Sequence, residues 1–450
     1  METNYSIDGL KVSIPIAQDF DVDNRTGFMA PRPPVTRLPE SWEPWEDMLD
    51  RAVAAKIKLG DALGTTPEEA KISFEWRVSV RAMHELSESG LEKFPELLRR
   101  AHLVLAFLLH FYVQSLPPDE PIVIPSSISL PMLRISKFLD IPPLLTFSDT
   151  VLYNWDFRIQ PNSKGAIPAL DNIRTATMFT NSVDEEEFYL CSARIELRGV
   201  QILELMRLTM DETFVGDDIT VRRLVEYLDT IAEVVGDLKM LLMDVKKLCD
   251  PDIYYNEVRP WFRGEDSVEP GQQPRKWVFE GLENDPRLSA PAELSGPSAG
   301  QSSLIHVLDI FLGVDHQPTS PGRAPFMSRM QKYMPRNHRL FLDHLKANPR
   351  PLRIFVMEKN DVELTDVYNK AVVALKEFRD AHMIIATLYI LGPARRAAKL
   401  AADRRAGSED STSNRDTKMD TQGVKGTGGT DLVRFLKDTR ARTTESLISH

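Results

Sequence analysis

Several features are scarce or missing in this chain of 450 residues, and each absence argues against a class of protein. Only two cysteines occur, Cys191 and Cys249, and there is no CxxC pair. We therefore expect no disulfide framework and no cysteine-based zinc site, which is typical of a reduced, intracellular protein. The net charge is −11, with no basic half and no block of Lys and Arg. This balance argues against nucleic acid or an anionic membrane surface as a partner.

Targeting and membrane signals are also missing. Residues 1–23 carry acidic side chains early and lack a long apolar core, so they do not resemble a signal peptide. The longest apolar run, near residues 102–113, is too short to span a bilayer and is more typical of a buried helix. We predict a soluble, cytoplasmic protein.

The spacing of apolar residues predicts a mostly α-helical fold. There is no sustained alternation of apolar and polar residues and no Asn-Gly hairpin turn. Helical spacing recurs over residues 43–60, 67–90, 92–115, 130–139, 184–212, 217–249, 252–262, 301–313, 323–334, 337–347, 351–358, 365–391 and from about 432 onward.

Shifts in composition predict how the chain is divided. Residues 1–40 are polar and rich in Pro, which indicates an extended arm, and residues 41–160 form a small helical domain. Residues 161–180 contain Pro, Gly and Asn without a sustained period, which is typical of a connector. The remainder, 181–450, is predicted to be a large helical domain with a disordered insert at 396–424, where large apolar side chains are nearly missing.

His382 is the residue with the most specific chemistry. It lies in the predicted helix 365–391, which we expect to end at Gly392-Pro393. Leu375, Phe378, His382, Ile385 and Tyr389 recur at helical spacing, so the imidazole falls within an apolar stripe. A buried imidazole needs a partner. That partner is either a nearby carbonyl, as for an ordinary core histidine, or a metal such as a haem iron.

Common catalytic motifs are missing. There is no HExxH, P-loop, GxSxG or kinase signature. The glycine string at 425–431 resembles a phosphate cradle only superficially, because it lacks the trailing Gly-Lys-Ser/Thr and does not follow a strand. The alternative is a flexible hinge between the disordered segment and the last helix. A helical protein with an apolar pocket and few polar groups suits a haem or another large planar ligand.

Six separated segments, taken together, resemble the indoleamine 2,3-dioxygenase family and follow its order along the chain. The resemblance runs from about residue 40 to the end, apart from 396–424. The segments are Ser148 to Trp155, Phe188 to Ser192, Tyr254 to Arg259, Ser298 to Ser303 followed by Asp309, Arg379 to Tyr389, and Lys425 to Asp431.

The resemblance implies one haem b per chain. His382 corresponds to the proximal haem ligand. Arg379 and Asp309 correspond to a pair near a haem propionate, where a fork-shaped cation suits a carboxylate; otherwise both are solvated surface charges. Ser298 and Ala299 would line the haem edge.

The resemblance also implies a substrate site, with Ser192 and Arg259 as its catalytic residues. Arg259 would bind the carboxylate of the amino acid, unless it is an ordinary helix-surface arginine. Phe188 and Tyr254 would pack on the indole, or else are plain core. Ser192 would lie near dioxygen or the indole N–H, or else bonds its own helix backbone. Thr427 would belong to a lid over the substrate.

Two positions depart from the family pattern. Tyr254 stands where phenylalanine is common, and Pro297 stands where a second glycine is common. The activity implied is cleavage of the indole C2–C3 bond of L-tryptophan, or a related indoleamine, with O2. The product would be N-formylkynurenine, at the first step of the kynurenine pathway, in a monomeric protein with an external electron donor and no titratable base. The alternative is a haem-binding oxygen carrier or redox sensor of the same fold with little turnover.

Overall fold

The computed structural model describes residues 5–7, 10–12, 17–163, 165–267, 275–316, 324–348, 350–406 and 432–449; for 5–7, 10–12, 218 and 401–406 it describes the backbone alone. Within these residues the fold is mostly helical, which confirms the predicted class. The α-helices are α1 (Glu43–Ala54), α2 (Pro67–Ala82), α3 (Pro95–Gln114), α4 (Ser126–Leu139), α5 (Val183–Arg198), α6 (Val200–Val215), α7 (Asp218–Asp244), α8 (Pro251–Ile253), α9 (Ser303–Phe311), α10 (Phe326–Gln331), α11 (Arg336–Lys346), α12 (Leu352–Lys359), α13 (Val362–Ala386), α14 (Gly392–Ala406) and α15 (Leu432–Glu445).

Local sequence signals explain where several of these helices begin. The Thr66 hydroxyl accepts the backbone N–H of Glu69, whose carboxylate accepts the Thr66 N–H, so a capping box starts α2. The side chain of Asp361 caps α13 in the same way by accepting the N–H of Leu364. Such caps satisfy the first backbone donors, which have no partner inside a helix.

The strands of the described residues are short and form three separate pairs. They are β1 (Tyr5–Ile7) antiparallel to β2 (Leu10–Val12), β3 (Ile122–Ile124) parallel to β6 (Trp277–Phe279), and β4 (Trp155–Phe157) antiparallel to β5 (Ile173–Thr175). A strand of three residues is too short to show a periodic pattern, which is why the sequence contained no signal for it.

Long helices provide the framework of the core. The most extensive helix packing in the described chain is between α7 and α13, and α5, α6 and α15 pack against this pair. In the preceding part of the chain, α3 is buried along most of its length and packs on α1 and α4. None of the described helices combines the length and the apolar character needed to cross a bilayer.

Buried contacts link the chain before residue 160 to the chain after 180. His110 on α3 donates through Nδ1 to the Trp261 carbonyl (2.7 Å) and accepts the Leu145 N–H at Nε2. The parallel pairing of β3 with β6 links the same two parts. The proposed division at 161–180 stays a prediction, and side chains from both sides of it line the cavity described below.

Four local expectations differ from the structure. The chain does not leave the helical path at Gly392-Pro393: a π turn (Thr387–Leu391) follows α13, and α14 continues from Gly392. Pro393 has no backbone N–H to donate, and it directly follows this π turn, in which the Gly392 N–H bonds the Thr387 carbonyl and the hydrogen-bond register of the helix shifts. Residues 396–406, expected to be disordered, are helical, and 407–424 lie outside the described residues.

The predicted helix 184–212 is divided at Gly199 into α5 and α6. A Cβ atom at Gly199 would overlap the side chain of Leu304, so the break coincides with a close approach of α9. In the predicted N-terminal arm, Phe28 and Met29 are buried in the core, so this part of the arm is tightly packed.

Candidate functional site

An apolar cavity lies between α5, the turn that follows α8, residues 297–302, α13 and α15. The space between its walls is about 1760 Å³, part of which is open to solvent. Phe147, Thr150 and Val151, from the chain before residue 160, complete its wall. A concave, mainly apolar space with few polar groups is typical of a site for a large organic ligand.

One face of α5 forms a wall of the cavity. Phe188, Ser192, Ile195 and Glu196 line it and follow one another at helical spacing. Ser192 makes no hydrogen bond to a described residue, so its hydroxyl is not bonded to the backbone of its own helix. That hydroxyl is therefore available to a ligand.

The opposite wall is α13 with the π turn that follows it. Phe378, His382, Ile385 and Tyr389 line the cavity, as the predicted apolar stripe requires, and Leu375 is buried behind them. The end of α13 thus presents one nitrogen-bearing side chain among apolar ones.

His382 has the properties of a ligand for a haem iron. Neither ring nitrogen has a hydrogen-bond partner within the described chain. Burial, assisted by the positive charge of Arg379, lowers the pKa of His382 to about 4, so its imidazole is neutral at neutral pH. A neutral imidazole on an apolar wall fits a haem iron, which takes one histidine nitrogen and otherwise needs an apolar pocket.

Arg379 also lines the cavity, and a buried network holds its guanidinium. It donates to the Asp309 carboxylate on α9 and to the Thr443 hydroxyl on α15. The second oxygen of Asp309 bonds His316 Nε2 at 2.7 Å. Burial alone would raise the pKa of Asp309, but the charge of Arg379 and the bond to His316 outweigh it and keep the pKa below its usual range. Arg379 and Asp309 are 6% and 3% exposed, so neither is a solvated surface charge.

Aromatic rings close the side of the cavity next to α8. The rings of Phe188 and Tyr254 are 4.3 Å apart between centroids, and Phe262 lies 6.0 Å from Phe188. Rings at these distances pack favourably on one another and on planar ligands.

The segment from Pro297 to Ser302 is held in place by its own side chains. Pro297, Ser298 and Ala299 line the cavity. The Gln301 side chain donates to the Gly296 carbonyl and accepts the N–H of Phe147, which connects the two parts of the cavity wall.

Two predicted site residues, Asp309 and Arg259, do not line the cavity, and Asp309 reaches it only through its bond to Arg379. Arg259 is buried, with its guanidinium carbon 5.4 Å from the centre of the Tyr255 ring, but it does not line the cavity among the described residues. Thr427 and the glycine string around it lie outside the described residues. The roles assigned to all the site residues from the sequence stay predictions.

Glu196 is a site residue that the sequence reasoning missed. Its Oε1 accepts the Ser302 hydroxyl at 2.6 Å, whereas Oε2 is buried and has no hydrogen-bond partner in the described chain. Burial raises the pKa of Glu196 to about 7, although the bond from Ser302 opposes the shift. Glu196 lies one helical turn after Ser192, and this spacing could have predicted that it faces the same cavity.

Phe147, Thr150 and Val151 were also missed as cavity residues. They belong to or adjoin the segment that carries the family resemblance, but they reach the cavity through long-range packing. No local pattern could have assigned them to it.

Comparison with known proteins agrees with this geometry. The sequence model of the family described as Indoleamine 2,3-dioxygenase matches residues 16–446. An indoleamine 2,3-dioxygenase of Aspergillus candidus is 32% identical over 435 residues, covering 94% of this chain and 96% of that protein. The Saccharomyces cerevisiae indoleamine 2,3-dioxygenase is 30% identical, with 96% and 93% covered. A Fusarium equiseti relative named 6-hydroxytryptophan 2,3-dioxygenase is 28% identical, with 96% and 97% covered. The chain therefore belongs to the indoleamine 2,3-dioxygenase family of oxidoreductases.

Proposed function

We propose that this protein is a haem-dependent dioxygenase that cleaves the indole C2–C3 bond of L-tryptophan with O2 and yields N-formylkynurenine. The observation that carries the proposal is His382, a neutral imidazole without an internal partner on the wall of an apolar, aromatic cavity. Membership of the indoleamine 2,3-dioxygenase family supports it.

The residues of this chain would hold the reactants in place. His382 would ligate the haem iron, and Arg379, one turn earlier on α13, would lie near a haem propionate. When bound, the haem supplies the iron centre that makes O2 reactive toward an indole. Phe188 and Tyr254 would hold the indole ring, and the free hydroxyl of Ser192 would bond a polar atom of the reactants. The apolar wall excludes water, which strengthens these polar contacts.

Turnover by the haem-loaded, reduced protein tests the proposal. We expect N-formylkynurenine from L-tryptophan in air, and His382→Ala should lose both the haem absorbance and the product. His84→Ala, at an exposed position on the surface, should keep both.

Ring-hydroxylated tryptophan should be assayed beside tryptophan, because one relative is named for 6-hydroxytryptophan. A normal haem spectrum without product from either substrate would favour an oxygen carrier or redox sensor. Full turnover by His382→Ala would contradict the role of His382.

A further inference from the structure

Thr150 lines the cavity with a hydroxyl that the fold satisfies poorly. It is 4% exposed and belongs to a π turn (Ser148–Leu152) that packs against α5. Its Oγ1 lies 3.4 Å from the carbonyl oxygens of Thr146 and Phe147, and within the described chain it has no other hydrogen-bond partner. An O–H···O hydrogen bond normally spans about 2.5–3.0 Å, so both contacts are long.

The backbone of this turn explains the long contacts. A helical threonine can donate to the carbonyl four residues earlier, as Thr439 does to Phe435 at 2.9 Å. For Thr150 that carbonyl belongs to Thr146, and it already accepts the backbone N–H groups of Asp149 at 3.1 Å and of Thr150 itself at 3.2 Å. Because a carbonyl oxygen has two lone pairs, both are occupied. The Thr150 hydroxyl can therefore bond a molecule in the cavity.

Most other hydroxyls on the described wall of the cavity already have partners inside the protein. Those that donate to another protein group are Tyr189, Tyr389, Ser302 and Thr439. Ser192 has no partner in the described chain, and the proposed function assigns it to a polar atom of the reactants. An unsubstituted indole ring has a single polar atom, its N–H, and this atom cannot serve both Ser192 and Thr150.

A bound ligand with a ring hydroxyl would supply the missing partner. A ligand that fills the cavity excludes water, and a buried hydroxyl left without a partner weakens binding. A phenolic hydroxyl can both donate and accept a hydrogen bond, so it matches a threonine hydroxyl in either direction. Phe147 and Val151, which also line the cavity beside Thr150, offer apolar contact to the ring around that hydroxyl.

We infer that the Thr150 hydroxyl binds a hydroxyl group on the indole ring, so that the protein prefers ring-hydroxylated tryptophan to tryptophan. The inference rests on the proposed function and specifies the substrate class of the same site. Thr150 is then a specificity-determining residue, because a site that bonds a substrate hydroxyl discriminates against the analogue that lacks it.

Binding of indole amino acids that differ only in a ring hydroxyl tests this inference. Dissociation constants for L-tryptophan and its 5-hydroxy and 6-hydroxy derivatives are measured by calorimetry on the haem-loaded protein without O2. The wild-type protein should bind one of the two derivatives about tenfold more tightly than L-tryptophan, the effect of one hydrogen bond. Thr150→Val, which keeps the shape of the side chain, should bring that derivative to within about twofold of L-tryptophan.

The controls separate the hydroxyl of Thr150 from threonine hydroxyls in general. Thr439→Val removes the hydroxyl of another threonine on the cavity wall, one that is bonded within its own helix, and should keep the preference. Thr150→Ser retains a hydroxyl and should keep most of the preference. The haem spectrum reports whether each variant is folded, and Thr150→Ala replaces Thr150→Val if the latter does not take up haem.

The outcomes separate this inference from the proposed function. No wild-type preference, a preference that survives Thr150→Val, or equal weakening of all three ligands would overturn the inference. Loss of the preference in Tyr254→Phe but not in Thr150→Val would also overturn it, because the ring hydroxyl would then lie at another wall. Turnover is measured on the same samples. Product from L-tryptophan with equal binding of the three ligands leaves the proposed function standing alone, and a Thr150-dependent preference without product leaves this inference standing alone.

Discussion

At the scale of single residues, the hydrogen bonds already made inside the fold decide which polar groups remain available in the cavity. The hydroxyls of Tyr189 and Tyr389 have internal partners, whereas those of Ser192 and Tyr254 have none in the described chain. The family resemblance of the sequence predicted that Phe188, Ser192 and Tyr254 lie near a substrate. The sequence could not distinguish a free hydroxyl from a bonded one, because the hydrogen-bond partners lie elsewhere in the chain.

Glu196 should make folding stability depend on pH. Its carboxyl has an ordinary pKa of 4.5 when unfolded and about 7 when folded. Because the pKa of this carboxyl is higher in the folded protein than in the unfolded chain, its protonated form is favoured by folding. This contribution to the free energy of unfolding is complete below about pH 4.5 and is lost as the pH rises to about 7. The loss is on the order of 3 kcal/mol. Glu196→Gln keeps an acceptor for Ser302 and should remove this part of the pH dependence in denaturant unfolding.

The control for this prediction is Glu75→Gln, at an exposed position on α2. It should reproduce the wild-type pH dependence between about pH 4.5 and 7. If Glu196→Gln did the same, the buried carboxyl would not titrate in this range.

At the scale of secondary-structure elements, most helices were predictable because their apolar periodicity is local. The predicted apolar stripe lines the cavity at four positions, three on α13 and one, Tyr389, in the π turn that follows it. The misplaced boundaries have non-local causes. Gly199 divides a predicted helix where Leu304 approaches, and a π turn lets the chain continue through Pro393. The three-residue strands pair with distant segments and carry no period of their own.

Close backbone contact near the cavity predicts a strong effect of one added methyl group. A Cβ at Gly296 would overlap the carbonyl oxygen of Phe262, and backbone cannot yield as a flexible side chain can. Phe262 and Pro297 line the cavity, so Gly296→Ala should distort its wall. We expect Gly296→Ala to lower the free energy of unfolding by about 3 kcal/mol, measured by denaturant titration.

The matched control is Gly236→Ala in the interior of α7. A Cβ there would meet nothing within 4 Å, so the variant should be more stable by about 1 kcal/mol because alanine favours a helix over glycine. Similar small effects of both substitutions would contradict the packing argument.

At the scale of the whole molecule, one buried network joins elements that are far apart in sequence. Arg379 on α13 bonds Asp309 on α9 and Thr443 on α15, and these positions are 70 and 64 residues away along the chain. Because Arg379 also lines the cavity, the network couples the packing of three helices to the shape of the site.

Removing the charge of Asp309 should therefore destabilise the whole fold. Asp309→Asn leaves the Arg379 cation buried without its counter-charge, and we expect a loss of about 3 kcal/mol in the free energy of unfolding. Because the pKa of Asp309 is lowered in the folded protein, its contribution is present at neutral pH and is lost only as the pH falls through that pKa. Thermal and denaturant unfolding measure both effects.

A surface pair provides the comparison for this network. Arg396 and Asp252 also form an ion pair across the sequence, but their side chains are 55% and 59% exposed. Asp252→Asn should produce no measurable change, because water screens exposed pairs. A comparable loss from both variants would show that burial does not set the effect.

The sequence by itself determined the helical class, the positions of most helices, the apolar stripe that contains His382 and the resemblance to a family. These depend on local periodicity and on short strings of residues. Tertiary structure alone decided that Phe147, Thr150 and Val151 complete the cavity, that Arg259 is buried without lining it, and that one carboxyl oxygen of Glu196 has no partner in the described chain. The physical reason is that hydrogen-bond partners, burial and therefore pKa values depend on residues distant in the chain, which no local pattern specifies.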